Sequence, residues 1–127
     1  MQTKPQLLTW ITCDGIHIDP STGKQTLLGV FTGTRAREFP FVYPFMIWFI
    51  TVGNVAAGDH KVKIQMGLQP TELQPLIERE FKSEGTHQRI NLINEMANLP
   101  FPTPGEYLIT IEVDGELLLT TSMHVVR

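Results

Sequence analysis

A chain of 127 residues fits a single domain, 1–127, and is long enough to bury a core unaided. With 42% hydrophobic and 18% charged residues it is too apolar to be disordered, and a formal charge of -3 gives no electrostatic reason to expect nucleic acid or an acidic membrane surface. A lone cysteine excludes an internal disulfide, and MQTKPQLLTWITCDG lacks the apolar run and cleavage site of a leader, so the expected setting is cytoplasmic.

Alternation broken by turn signals recurs along the chain, the mark of an all-β domain. Leu7, Thr9, Ile11 and Cys13 alternate with Leu8, Trp10 and Thr12. Asp14-Gly15 bends the strand, Ile16 to Asp19 resumes it, the segment 19–23 turns it, and Lys24 to Thr32 returns. The run FPFVYPFMIWFI, 39–50, is apolar at nearly every position, although a sandwich strand needs only one buried face. Its two prolines and short length exclude a membrane span. Either residues 71–83 or a loop covers the second face, or a partner or identical subunit does.

After Gly58, Val62, Ile64, Met66 and Leu68 share one strand face, and Lys61, Lys63 and Gln65 the other. The stretch 71–83 is ambiguous. Leu73, Leu76, Ile77 and Phe81 have helical spacing, and Thr71 with Gln74 fits a capping box, which admits a short helix at 72–83. Pro75 suits only the start of such a helix, and a short strand agrees better with the rest of the chain. Near the end, Tyr107, Ile109, Ile111 and Val113 form one strand face before Asp114-Gly115. A three-residue loop at 113–115 keeps Ile111 opposite Leu117 and Ile109 opposite Leu119, and is preferred to a strict two-residue loop.

The run from Ile90 through LPFPTPGEY to Tyr107 resembles the E-to-F corner of immunoglobulin-like sandwiches, with Gly105-x-Tyr107 as the tyrosine corner. That resemblance implies an immunoglobulin-like Greek-key β-sandwich of about seven to nine strands, with Trp48 as the core tryptophan of strand C. No cysteine pair links the sheets. Through TCDGIHIDPSTGKQTLLGVF, FP at 39–40, GDHKVKI at 58–64 and PGEYLITIEVDGELL, the chain also resembles a family of small bacterial proteins of unknown function. This implies a β-sandwich in a bacterial cell and supplies no catalytic residues.

No constellation of catalytic or metal-binding type emerges. CDGIHID offers Cys13, Asp14, His17 and Asp19, but has neither a second cysteine pair nor a His-x3-His spacing, and reads as a bent strand and turn. A small hydrolase using His17 with Asp19 or Cys13 is the weakest reading, since no nucleophile motif accompanies them. His60, His87 and His124 are scattered, Gly29 and Gly33 do not form a phosphate loop, and the acidic residues are too isolated for a calcium loop. Arg35, Arg37 and Glu38, like Glu78, Arg79 and Glu80, read as solvated surface. Metal, cofactor and catalytic residues are accordingly not expected.

If Trp48 points inward, Met46 and Ile50 follow it, and Phe45, Ile47 and Phe49 face out. With strand C beside F and F beside G, the same outer surface would carry Leu108, Thr110, Leu118 and Thr120. The expectation is a non-enzymatic protein-interaction module that self-associates through this face. Its expected partner is itself, as a homodimer, or another protein, with no nucleic acid and no membrane. The alternative is a small-ligand or carbohydrate-binding module using the aromatic loop 39–43. Trp48, Gly105, Tyr107, Asp114 and Gly115 are expected to be structural.

Overall fold

The computed structural model describes residues 4–127, and the protein is an all-β sandwich. The strands are β1 (Gln6–Cys13), β2 (Gly15–Ile18), β3 (Gln25–Leu28), β4 (Gly33–Arg35), β5 (Phe41–Gly53), β6 (Gly58–Gly67), β7 (Gln74–Ser83), β8 (Ile90–Phe101), β9 (Gly105–Val113) and β10 (Glu116–Val126). One sheet has the order β1-β5-β8, and the facing sheet β4-β10-β9-β6-β7. The pair β2-β3 belongs to neither sheet. The chain passes from β5 to the facing sheet at β6, returns at β8 to lie beside β5, and crosses again to β9, a Greek-key path. Among the described residues, no helix is long and apolar enough to cross a membrane.

The ambiguous stretch is a single turn of 3-10 helix, Pro70–Glu72, followed by strand β7. Strand β7 is an edge, which explains its proline: Pro75 sits where no ladder donor is needed, beside an irregularity between Ile64 and Gln65 of β6.

The core fills the space between the sheets. Met46, Trp48, Ile50 and Val52 of β5 meet Val62 and Ile64 of β6 and Tyr107, Ile109, Ile111 and Val113 of β9. The buried Trp48 indole N–H donates to Met46 Sδ at 3.0 Å, and its ring meets Trp10 edge-on at 5.4 Å. Asn94 is the buried polar residue of this layer. Its amide donates to the carbonyls of Trp48 and Leu92, and its oxygen accepts from Arg79, which reaches across from β7.

Trp48 points inward as expected, but on a different strand. β5 lies between β1 and β8, while β9 pairs with β6 and β10. The strand beside β9 on that side is β6, not the strand that carries Trp48. The expected single outer face therefore does not exist: Phe45, Ile47 and Phe49 lie on one outer side of the sandwich, and Leu108, Thr110 and Thr120 on the other. The expectation fails because β2 and β3, which read as a sheet strand and its return, form a separate hairpin.

The β9-β10 connection also differs. Val113 pairs with Glu116, so the loop is the two residues Asp114-Gly115, with φ of 52° and 82°. Positive φ at both positions matches the twist of the flanking strands, and glycine takes it without a side-chain clash. A bulge at Leu118 then shifts the register, setting Leu119 opposite Ile111 and Thr121 opposite Ile109. Leu117 is 55% exposed rather than inward, and Leu118 packs against the core rather than facing out.

Tyr107 forms the corner expected of it. Its hydroxyl donates to the Thr103 carbonyl at 2.6 Å and accepts from the Thr103 N–H at 3.3 Å, while its ring is buried against Phe101. A Cβ at Gly105, beside the corner, would displace the Leu68 side chain, whose Cδ2 lies 2.9 Å away. Tyr107→Phe should lower stability by about 1 kcal/mol or slightly more, measured as a fall in the denaturant midpoint at unchanged slope.

Candidate functional site

The polar stretch CDGIHID and the apolar stretch 45–50 account for each other. Ile47 and Phe49, on the outer side of β5, are buried with Cys13 in a second cluster. Ile16 of β2 and Leu27 of β3 close over it, joined by Ile11 and Ile93. The cover is thus the 15–28 hairpin, and neither residues 71–83 nor a second subunit is needed at these two positions. Phe45, beyond the hairpin, remains 41% exposed.

Within CDGIHID the side chains diverge. Cys13 is fully buried, and burial together with the Asp14 charge pushes its thiol pKa up. Asp14 accepts from the Tyr43 hydroxyl at 3.2 Å, His17 is exposed, and Asp19 accepts from Ser21 and Thr22 to shape the hairpin loop. Among the described residues no three His, Cys, Asp or Glu side chains gather in the manner of a metal site. A buried thiol held protonated is a poor nucleophile. Cys13 should therefore stay unmodified by a thiol reagent in native protein at neutral pH and react fully in denaturant; equal rates in both conditions would contradict its burial.

The aromatic stretch 39–43 is not an open loop either. Phe41 and Tyr43 begin β5, and Phe39, Phe41, Tyr43, Phe31 and Phe101 touch one another through ring centroids 5.7–6.5 Å apart. Arg127 lies 5.5 Å above the Phe39 ring. These rings pack against one another, and Phe39, Phe41 and Tyr43 stay partly exposed.

Two histidines meet carboxylates: the exposed His124 lies 3.7 Å from Glu106, and the half-buried His60 meets Asp114 across 54 residues of sequence. The His60 Nδ1 and Asp114 Oδ2 atoms are 2.5 Å apart, and Nε2 lies 2.7 Å from the Ala56 carbonyl oxygen. The other Asp114 oxygen accepts from the Lys61 N–H at 2.9 Å. With both ring nitrogens occupied, His60 has none free to serve as a general base in this arrangement. The Asp-Gly signal locates Asp114 in a turn, but the residue it meets depends on β6 lying beside β9, which local pattern does not reveal.

An apolar groove of about 250 Å³ lies on the flank of the sandwich where β7 and β8 are the sheet edges. Met66, Gly67 and Leu68 at the end of β6, Leu76 of β7, Pro100 and Pro102, and the Tyr107 ring form its walls. Glu72 and Gln74 supply its polar side chains. The tyrosine corner holds one wall in place, since the same residue that closes the β8-β9 connection also lines the recess. Local pattern does not reveal this groove, because it joins segments some 30 residues apart in sequence.

The fold and this geometry define an all-β sandwich carrying a side hairpin on one face and an apolar groove on one flank. The chain belongs to a family described as Family of unknown function (DUF6941), whose model matches residues 8–126. No curated protein matches it. Among solved structures it resembles the Pseudomonas fluorescens alkylpurine DNA glycosylase AlkC bound to DNA containing an abasic site analog, with a TM-score of 0.57 and 10% identity. The match covers 98% of this chain and 31% of that one, so the domain corresponds to about a third of the glycosylase's length. At this identity the likeness is one of fold. It nevertheless corrects the expected partner set of itself or another protein without nucleic acid, because a sandwich of this shape occurs in a protein bound to DNA. Net charge alone was the ground for that exclusion, and it does not describe local charge: Arg35, Arg37 and Arg127 are exposed, with no ion pair to any of them among the described residues.

Proposed function

We propose that the domain is a non-enzymatic binding module, and that its site is the groove between β7 and β8. The observation that carries this reading is the lining: an almost wholly apolar recess with one carboxylate, Glu72, and one carboxamide, Gln74, among its walls. Ligand sites typically combine apolar walls with a few convergent polar groups. A volume of about 250 Å³ suits a group the size of one ring or a short branched chain. Glu72 has no ion-pair partner among the described residues, so a ligand bearing a cation or N–H donor complements it. The ligand class is therefore a small apolar amine, and the site lies away from the 39–43 rings. A bacterial, cytoplasmic setting belongs to the same reading, supported by the family resemblance and by a lone, buried cysteine.

Amide spectra recorded during titration with phenethylamine and with neutral 2-phenylethanol test this. The amine should produce saturable shifts at Gly67, Leu68 and Leu76, the alcohol weaker ones, and Leu76→Trp, which fills the groove, should abolish both. Shifts scattered over the surface, or unchanged by Leu76→Trp, would overturn it.

A second reading is favoured by the unpaired arginines beside β4 and by the DNA-bound neighbour: the corner holding Arg35 and Arg37 contacts nucleic-acid phosphates. Binding of a labelled oligonucleotide that weakens with salt and on Arg35→Ala with Arg37→Ala would favour it. Binding that ignores both changes would dismiss it.

A further inference from the structure

We propose that His60 is a pH-operated latch that ties the β5-β6 connection to the β9-β10 turn. A backbone carbonyl only accepts, so the 2.7 Å contact with Ala56 requires a proton on Nε2. An ionised carboxylate also only accepts, so the 2.5 Å contact with Asp114 requires a proton on Nδ1. Both contacts are satisfied together by the imidazolium paired with the Asp114 carboxylate. Neutral His60 has one N–H and one lone pair, and in this geometry the lone pair faces an oxygen that has nothing to donate.

The surroundings make the loss consequential. The His60 side chain is only 14% exposed and stacks on Phe81 of β7, with ring centroids 5.7 Å apart, so it cannot simply turn into water. Asp59 and Lys61 flank it on β6, and Glu80 and Lys82 flank Phe81 on β7; the 54–57 connection contributes only backbone. Asp114 is bound on three counts: to the ring, through Oδ1 to the Lys61 N–H, and through its own N–H to the Lys61 carbonyl at 2.9 Å. The Val55 carbonyl in the same connection accepts from Ser83, which anchors that segment to β7. Breaking the Ala56 contact therefore releases only Ala56 and Ala57 and leaves the sheets intact, since Gly58 is paired with Ser83 in the β6-β7 ladder.

The sign follows from the two partners. The hydrogen bond to Asp114 raises the His60 pKa above its ordinary value, against the opposing effect of burial, with the Ala56 carbonyl adding to the rise. Stability from a raised histidine is fully present below the unfolded value and is lost as pH climbs through the folded one. For Asp114, burial opposes ionisation but is outweighed by the bonds from His60 and Lys61, so its pKa is lowered. Its contribution is lost only as pH falls through that lowered value. The latch is closed between the two and opens on the alkaline side.

Nitrogen-15 spectra of the ring, recorded with amide-exchange protection across pH, test the latch. Below the midpoint both ring nitrogens should carry protons. Above it, protection at the Lys61 and Asp114 amides, which bond Asp114 Oδ1 and the Lys61 carbonyl, should fall with the same midpoint once corrected for intrinsic exchange. The fall should approach roughly tenfold for every pH unit by which the folded histidine value exceeds the unfolded one. Asp114→Asn keeps a residue that tolerates the turn; it should move the ring midpoint down and remove the step in protection. A ring that is neutral at pH 6, or protection that does not follow the ring midpoint, would overturn the proposal. The wild-type comparison decides the matter by itself should Asp114→Asn not fold.

Discussion

Strand β5 must be covered on both faces, and the rest of the molecule is arranged around that demand. A strand in a two-layer sandwich has one buried face and one wet one. Residues 46–50 are buried without interruption, so β5 behaves like the inner strand of a three-layer stack. The facing sheet covers Met46, Trp48 and Ile50, and the β2-β3 hairpin covers Ile47 and Phe49. Burying an aliphatic or aromatic side chain contributes roughly 1.5–3 kcal/mol. The second cluster is therefore comparable to a large part of the net 5–15 kcal/mol that separates a typical domain from its unfolded chain. On this scale the hairpin is part of the fold and not an appendage.

The same demand decides which surfaces stay open. The hairpin closes the outer face of the three-stranded sheet at Ile47 and Phe49 and leaves Phe45 exposed. Also open is the flank, where the five-stranded sheet extends to β7 and the smaller one stops at β8. Arg79 spans this gap midway by donating to the Ile93 carbonyl and to Asn94. The groove lies beyond that strap, beside the tyrosine corner, and the His60 linkage is at the opposite end of the strands. The groove and the His60–Asp114 pair thus occupy separate ends of one scaffold.

Much of the local structure was legible. Period-two alternation gave the inward faces of β6 and β9 correctly, and the inward set Met46, Trp48 and Ile50 on β5. The Gly105-x-Tyr107 spacing gave the corner, because that geometry is local. What failed was non-local. Counting strands placed Trp48 on the strand beside β9, since nothing in residues 15–28 says that they leave the sheet and fold over it. Parity at the last hairpin failed for a similar reason: pairing large residues favoured a three-residue loop, whereas the chain uses the two-residue turn its Asp-Gly signals and recovers the face with a bulge at Leu118. The groove and the His60–Asp114 pair were invisible because each depends on strand order, which alternation does not encode.

The central claim is that the hairpin seals β5. Denaturant unfolding of the double variant Ile16→Asp with Leu27→Asp tests it most directly, because both side chains touch the second cluster and neither lies in the sandwich sheets. The account predicts a loss of about 3 kcal/mol or more, with new binding of a hydrophobic dye as Ile47 and Phe49 become exposed. A variant as stable as wild type that binds no dye would contradict it.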